Sequence, residues 1–338
     1  MRRLWPVLVT LLLLPAPGSS QTAETKAAIQ EIFRYVKLEP SNLEALRAGQ
    51  IVEGYHSELD VSKSNLIVIL LGKVNAPVNK VADELREELA TAKKEKLISV
   101  AEIHDDRPFP SVNFEASELE EVKRLLRFKG GDRFNLSATE TEHVQQIAED
   151  LKGAQADERL ARVSAVYGKI VENRYRRYRE SGASGIEPYL RQGGKVSSPA
   201  EELRLLEKEV EFLERWSPKI YSALVDYPNT SPDLTHTFHV IKKDVDERPA
   251  YALVHQMVDE GDDYFFVHLR EYFVGHTYSS SYMVIFLFSY EGGTLAALST
   301  DVFTDKVAGI MSGIAKPIGR GRITATAKPL LVRLQERF

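Results

Sequence analysis

The chain has 338 residues, with 44 basic against 49 acidic ones for a formal net charge of −5, and it contains no cysteine. The missing thiol rules out a disulfide framework, a thiolate metal site, a cysteine nucleophile and lipidation at an N-terminal cysteine. The acidic balance argues against nucleic acid, whose binding rests on neutralising phosphates, and against a polybasic grip on a membrane.

Residues 1–20 read as a cleavable secretory signal. Arg2 and Arg3 form the positive start, an apolar run follows from Leu4 to Leu14, and Gly18, Ser19 and Ser20 supply small residues for cleavage after Ser20 or Gly18. The run is too short and proline-broken for the roughly 20 residues of a membrane span. Loss of Arg2 and Arg3 with this leader takes the net charge from −5 to −7. An exported chain of this size without cysteine fits a bacterial periplasm, or secretion from a bacterium, better than a eukaryotic secretory route.

Residues 21–115 read as an N-terminal α+β unit. Ala28, Ile29, Ile32, Phe33 and Val36 mark one helical face over 22–37, which Pro40 ends. Ser41 with Glu44 reads as a capping box. Strands are expected at 50–60, 65–74 and 97–104. The second of these, almost continuously apolar, is the pattern of a strand buried on both faces. A charged amphipathic helix spans 78–95.

Residues 116–230 read as helical. Ser117 with Glu120 and Ser137 with Glu140 are further capping boxes, and Ser198, Pro199 and Glu201 mark the clearest helix start. A long helix over 157–180 turns Leu160, Val163, Val166, Tyr167, Ile170, Val171, Tyr175 and Tyr178 inward, and its Arg174–Arg179 arginines outward. The glycine-rich loop 182–197 exceeds ordinary connections and suits a flap.

Residues 231–338 alternate in strands at 234–243, 250–258, 264–276, 281–290 and 294–303. Turns near Asp246, Gly261-Asp262 and Gly292-Gly293 imply an antiparallel meander. A terminal helix over about 312–336 carries Pro317 and Pro329, which are expected to kink or split it. The class is α+β, and an aromatic antiparallel sheet closed by a long C-terminal helix resembles the helix-grip arrangement of lipid-binding cavity proteins.

Period-two sorting puts Tyr264, Phe266, His268, Arg270, Tyr272, Val274 and His276 on one face of their strand, with Tyr282 on the matching face of the next. Aromatic walls with a few polar groups suit a ligand cleft. The expectation is therefore an exported soluble protein that binds an apolar or amphipathic small molecule or lipid without catalysis. Its lining would be Tyr264, Phe266, His268, Arg270, Tyr272 and Tyr282, with Arg270 as polar anchor. Arg320, between Gly319 and Gly321 and beside Arg322, is a separate candidate for an anionic head group; Gly309 and Gly313 have the four-residue spacing of close helix contacts.

Two other classes stay open. One is a secreted hydrolase using His268 or His276 with a carboxylate such as Glu271 or Asp301. The other is a structural or envelope-assembly protein. The nucleophile-elbow, zinc-protease, β-lactamase and phosphate-loop motifs are all absent. His236 and His239 fall on opposite faces of a strand, and His268 and His276 lie about 26 Å apart along one, so no metal site is expected. No cofactor and no nucleic-acid partner are expected either, and protein partners are unassigned.

Overall fold

The computed structural model describes residues 22–91, 97–209, 211–307 and 312–338. The expected leader, residues 1–20, and Gly309 lie outside them.

The first helix, α1 (Ala23–Tyr35), is capped by the Thr22 side chain and buries Ala28, Ile29 and Ile32, as its spacing requires. Pro40 does not end a helix but begins the next, α2 (Pro40–Arg47), with Glu39 before it and no side-chain cap. Proline suits a first turn because it lacks only an N–H that would have no helical partner there. Over 50–60 the expected strand shrinks to β1 (Val52–Glu53), followed by a single 3₁₀ turn. Strand β2 (Asn65–Val74) matches the sequence reading, and nine of its ten residues are buried. Helix α3 (Val78–Thr91) and strand β3 (Leu97–Ile103) follow.

Four helices come next: α4 (Leu119–Leu126), α5 (Ala138–Asp150), α6 (Ala156–Ser181) and, beyond a small hairpin of β4 (Tyr189–Leu190) and β5 (Val196–Ser197), α7 (Pro199–Glu209). The first capping box is made by Glu115 and Glu118, not Ser117 and Glu120, because a 3₁₀ turn at 116–118 shifts the helix entry. The box at Ser137 holds in place, and at Ser198 the hydroxyl accepts from the Glu201 N–H. Helix α6 ends at Gly182, whose φ is +57° and whose missing Cβ would sit 2.0 Å from the Tyr227 carbonyl oxygen. Two short helices, α8 (Glu211–Trp216) and α9 (Pro218–Asp226), lead to the sheet.

The meander consists of β6 (Thr235–Val245), β7 (Arg248–Glu260), β8 (Tyr264–Val274), β9 (Ser280–Tyr290) and β10 (Gly293–Phe303), each antiparallel to the next. Asp246-Glu247 and Glu291-Gly292 form two-residue turns with both φ angles positive, the geometry that matches strand twist. Helix α10 (Ser312–Glu336) runs as one helix through Pro317 and Pro329.

All the long strands share one sheet, ordered β1-β2-β10-β9-β8-β7-β6-β3. The strands of 21–115 thus flank the strands of 231–338. Each face of the sheet carries its own core. The first, under α1 and the central helices, includes Ile67, Tyr178, Phe266, Tyr272 and Phe303. The second, under α3 and the C-terminal half of α10, includes Val68, Leu85, Phe265, Ile285 and Leu331. No described helix is long and apolar enough to cross a membrane.

Candidate functional site

The alternation of β8 holds up to Glu271 and then breaks. Leu253 pairs with Phe273 and Val254 with Glu271, so Tyr272 is an extra residue, a β-bulge. Tyr272 and Phe273 consequently both enter the first core, where the sequence reading placed Phe273 on the other face.

The expected cleft lining is brought together, but inside the first core. His268, Arg270, Tyr272 and Tyr282 are between 0% and 4% exposed. Phe266 stacks edge-on with Phe286 and Phe288, and Tyr264 lies against Phe266. Side chains from α6, α7 and α9 fill the space that a ligand was expected to take. Arg270 donates to Tyr178 Oη (3.2 Å), Tyr282 Oη (2.9 Å) and the Leu224 carbonyl (2.9 Å). Tyr178 stacks on Tyr272 with centroids 3.7 Å apart.

A relay leads outward from Arg270. Arginine can only donate, so the Tyr178 oxygen accepts from it, and the same hydroxyl is hydrogen-bonded to His255 Nδ1 (2.9 Å). His255 Nε2 is hydrogen-bonded in turn to His236 Nδ1 (2.8 Å). Burial, with His236 and Arg270 beside it, drives the His255 pKa well down, and burial with Arg270 does the same to His268. Both rings are neutral at ordinary pH.

The groups of the hydrolase alternative do not meet. His268 lies on the first face and Glu271 on the second. His276 bonds to Thr277 Oγ1 and the Pro249 carbonyl, and Asp301 accepts from Asn65 Nδ2 (3.1 Å). Among the described residues no hydrogen bond joins His268 or His276 to a carboxylate. Burial raises Asp301 to about 8, against the opposing hydrogen bond from Asn65. Burial also raises Glu202, which accepts from Ser279 and Ser280, to about 7. No group of three or more His, Cys, Asp or Glu among the described residues is arranged to hold a metal.

Two further expectations need correction. Arg174 does not face solvent: it is 6% exposed, pairs through two nitrogens with Glu140, and lies over the rings of Tyr189 and Phe273. Segment 182–197 is pinned at Tyr189, which is fully buried with its hydroxyl donating to the Ser279 carbonyl, while residues 192–196 are exposed.

Arg320 stands apart from the sheet residues. It bonds to both oxygens of Asp60 (2.8 and 2.9 Å) and lies 3.7 Å from the Tyr55 ring centroid. Lys316 donates to the same carboxylate. Together with Ser62, Lys63, Gly313 and Pro317, these residues line a surface hollow of about 580 Å³.

The second face of the sheet is only partly covered. Helix α10 packs mainly on β2; Arg320 reaches Asp60 before β2, and Arg322 reaches Asp246 in the β6–β7 turn. Gly319 lets the helix close onto Leu66, which a Cβ would meet at 2.6 Å. The side chains of Val258, Leu269 and Met283 are half-buried and pack against the second core, and those of Ile241 and Gln256 on the same face are half-buried too. Two polar atoms on this face, Thr300 Oγ1 and His239 Nδ1, are buried without a hydrogen-bond partner among the described residues. At its border Glu271 accepts from Lys243, Tyr278 (2.5 Å) and Ser281 (2.8 Å). Burial would raise this carboxyl, but Lys243 and the two hydroxyls bring it below the usual range.

Comparison of the chain with protein-family models, curated proteins and solved structures finds no match.

Proposed function

We propose that this is an exported, non-catalytic protein that binds an apolar or amphipathic small molecule, held between α10 and the second face of the sheet. The reading moves the ligand away from the Tyr264–Tyr282 face, which protein side chains already occupy. The observation that carries it is the half-buried wall of Ile241, Val258, Leu269 and Met283, next to the unpartnered Thr300 hydroxyl and His239 nitrogen. An apolar wall is what a ligand's body needs, and an unpaired buried polar atom costs about 1–3 kcal/mol until something bonds to it. Export is supported by the leader pattern of residues 1–20.

Native mass spectrometry of the protein purified from its own cell envelope, with organic extraction, tests this. A retained small molecule should be lost in Leu269→Trp and Met283→Trp, which fill the wall, while circular dichroism stays unchanged. Arg270→Ala should weaken folding without changing the ligand's identity. If no molecule co-purifies and an apolar fluorescent probe binds wild type and both tryptophan variants alike, the proposal fails.

A further inference from the structure

The hollow between the first half of α10 and the segment before β2 is lined by Tyr55, Asp60, Lys63, Lys316, Pro317 and Arg320, among others. Its charges do not balance. Lys316 and Arg320, four apart on one side of the helix, both pair with Asp60, and their side chains are only 13% and 15% exposed. One carboxylate thus serves two largely buried cations. Lys63 at the rim adds a third, and no other acidic residue among the described ones lines the hollow. The donors do not balance either. An ammonium carries three N–H groups and a guanidinium five. Lys316 directs two of them to Asp60 and the Ser62 carbonyl. Arg320 reaches both Asp60 oxygens through Nη2 alone, so Nη1 has no partner among the described residues, and Nε is buried without one. The Tyr55 ring, 3.7 Å from the guanidinium, holds that group in place.

We infer that this hollow is a binding site for a small soluble phosphate monoester, its phosphate against Lys63, Lys316 and Arg320 Nη1 and its body along Tyr55 and Pro317. Partly buried positive charge without a counter-charge is costly, and an anion removes the cost. Three cations less one carboxylate leave two positive charges, which a phosphate monoester, at about −2, matches and a single carboxylate does not. Guanidinium and ammonium groups are the ordinary partners of phosphate oxygens. The volume of about 580 Å³ suits a small molecule with a body beyond its phosphate. The site is separate from the wall of Leu269 and Met283, which belongs to β8 and β9, so it stands whether or not that wall holds an apolar molecule.

The experiment is isothermal titration calorimetry of the full mature chain with phenyl phosphate, inorganic phosphate and benzoate. Phenyl phosphate should bind saturably and more weakly as salt is added. Inorganic phosphate should bind less tightly, lacking a body to meet Tyr55 and Pro317, and benzoate less tightly, lacking the second charge. Lys63→Glu alters an exposed position, and Arg320→Lys keeps a cation on Asp60, so circular dichroism should be unchanged in both. The first should weaken phenyl phosphate about tenfold or more. The second should weaken it as well, because an ammonium has no second arm to offer the phosphate. Leu269→Trp and Met283→Trp should bind phenyl phosphate like wild type. No saturable binding, benzoate or inorganic phosphate binding as tightly as phenyl phosphate, or Lys63→Glu and Arg320→Lys binding like wild type would each overturn the inference. Loss of binding in the tryptophan variants would overturn it too, by moving the phosphate to the face of the sheet.

Discussion

At the scale of single residues, Asp301 shows how burial overrides the ordinary behaviour of a side chain. An exposed aspartate loses its proton near 3.8, and this one near 8. Between those values the folded state holds a proton that the unfolded chain has released, so folding stability falls as pH rises. Glu202, raised to about 7, adds to the same slope. His276 acts oppositely: burial and the nearby Arg248 lower it to about 4. The unfolded chain therefore takes up a proton from about 6.5 downward while the folded one resists, and stability is lost on acidification. Urea midpoints across pH test this: Asp301→Asn should flatten the decline on the alkaline side, gaining about 3–4 kcal/mol at pH 8 relative to pH 5, and should leave the loss on acidification that His276 causes in place. An unchanged alkaline slope would show that Asp301 titrates normally. Arg270 belongs to the same scale. Its replacement by alanine leaves the hydroxyls of Tyr178 and Tyr282 and the Leu224 carbonyl without their shared donor. Such a change should cost about 3–5 kcal/mol in chemical denaturation.

At the scale of elements, one carboxylate joins two helices. Glu140 accepts from the Ser137 backbone in the cap of α5 and binds Arg174 from α6. Glu140→Ala should therefore cost about 3 kcal/mol or more, since it strands a buried guanidinium. Ser137→Ala, which removes only the cap, should cost about 1 kcal/mol. Similar losses for the two variants in urea denaturation would show that the buried pair adds nothing. Within the sheet, periodicity made the strands from 234 to 303 legible to within a few residues, because hydrophobic alternation reflects the pleat directly. It also led to the correct registers for Tyr264, Phe266, His268 and Arg270. It failed at Phe273, because the bulge at Tyr272 is set by how two strands pair and leaves no mark in the spacing of one. It failed for Arg174 for a related reason. Charge led to an outward reading of that position, and only the packing of α5 supplies the Glu140 carboxylate that makes its burial tolerable.

At the scale of the whole molecule, the sheet decides which segments depend on one another. Strand β2 lies between β1 and β10 and pairs with β10 from Asn65 to Val74, and β3 completes the opposite edge on β6. Residues 231–338 expressed alone should not fold to a monomer with sharp near-ultraviolet circular dichroism, because β10 would expose an unpaired edge and the second core would lose α3. A cooperative melt of that fragment would contradict this.

The sequence by itself determined the α+β class, the five-stranded meander, the terminal helix and the leader-like start, since each rests on local periodicity, capping chemistry or composition. It also identified the residues of a polar and aromatic cluster around Arg270. Whether that cluster lines a ligand site or fills a core was decided only by the tertiary structure. Both faces of β8 and β9 are apolar, and a strand's pattern cannot say which face a neighbouring helix covers. The central helices occupy the Arg270 face, and α3 with the C-terminal half of α10 occupies the other, against which Leu269 and Met283 pack half-buried.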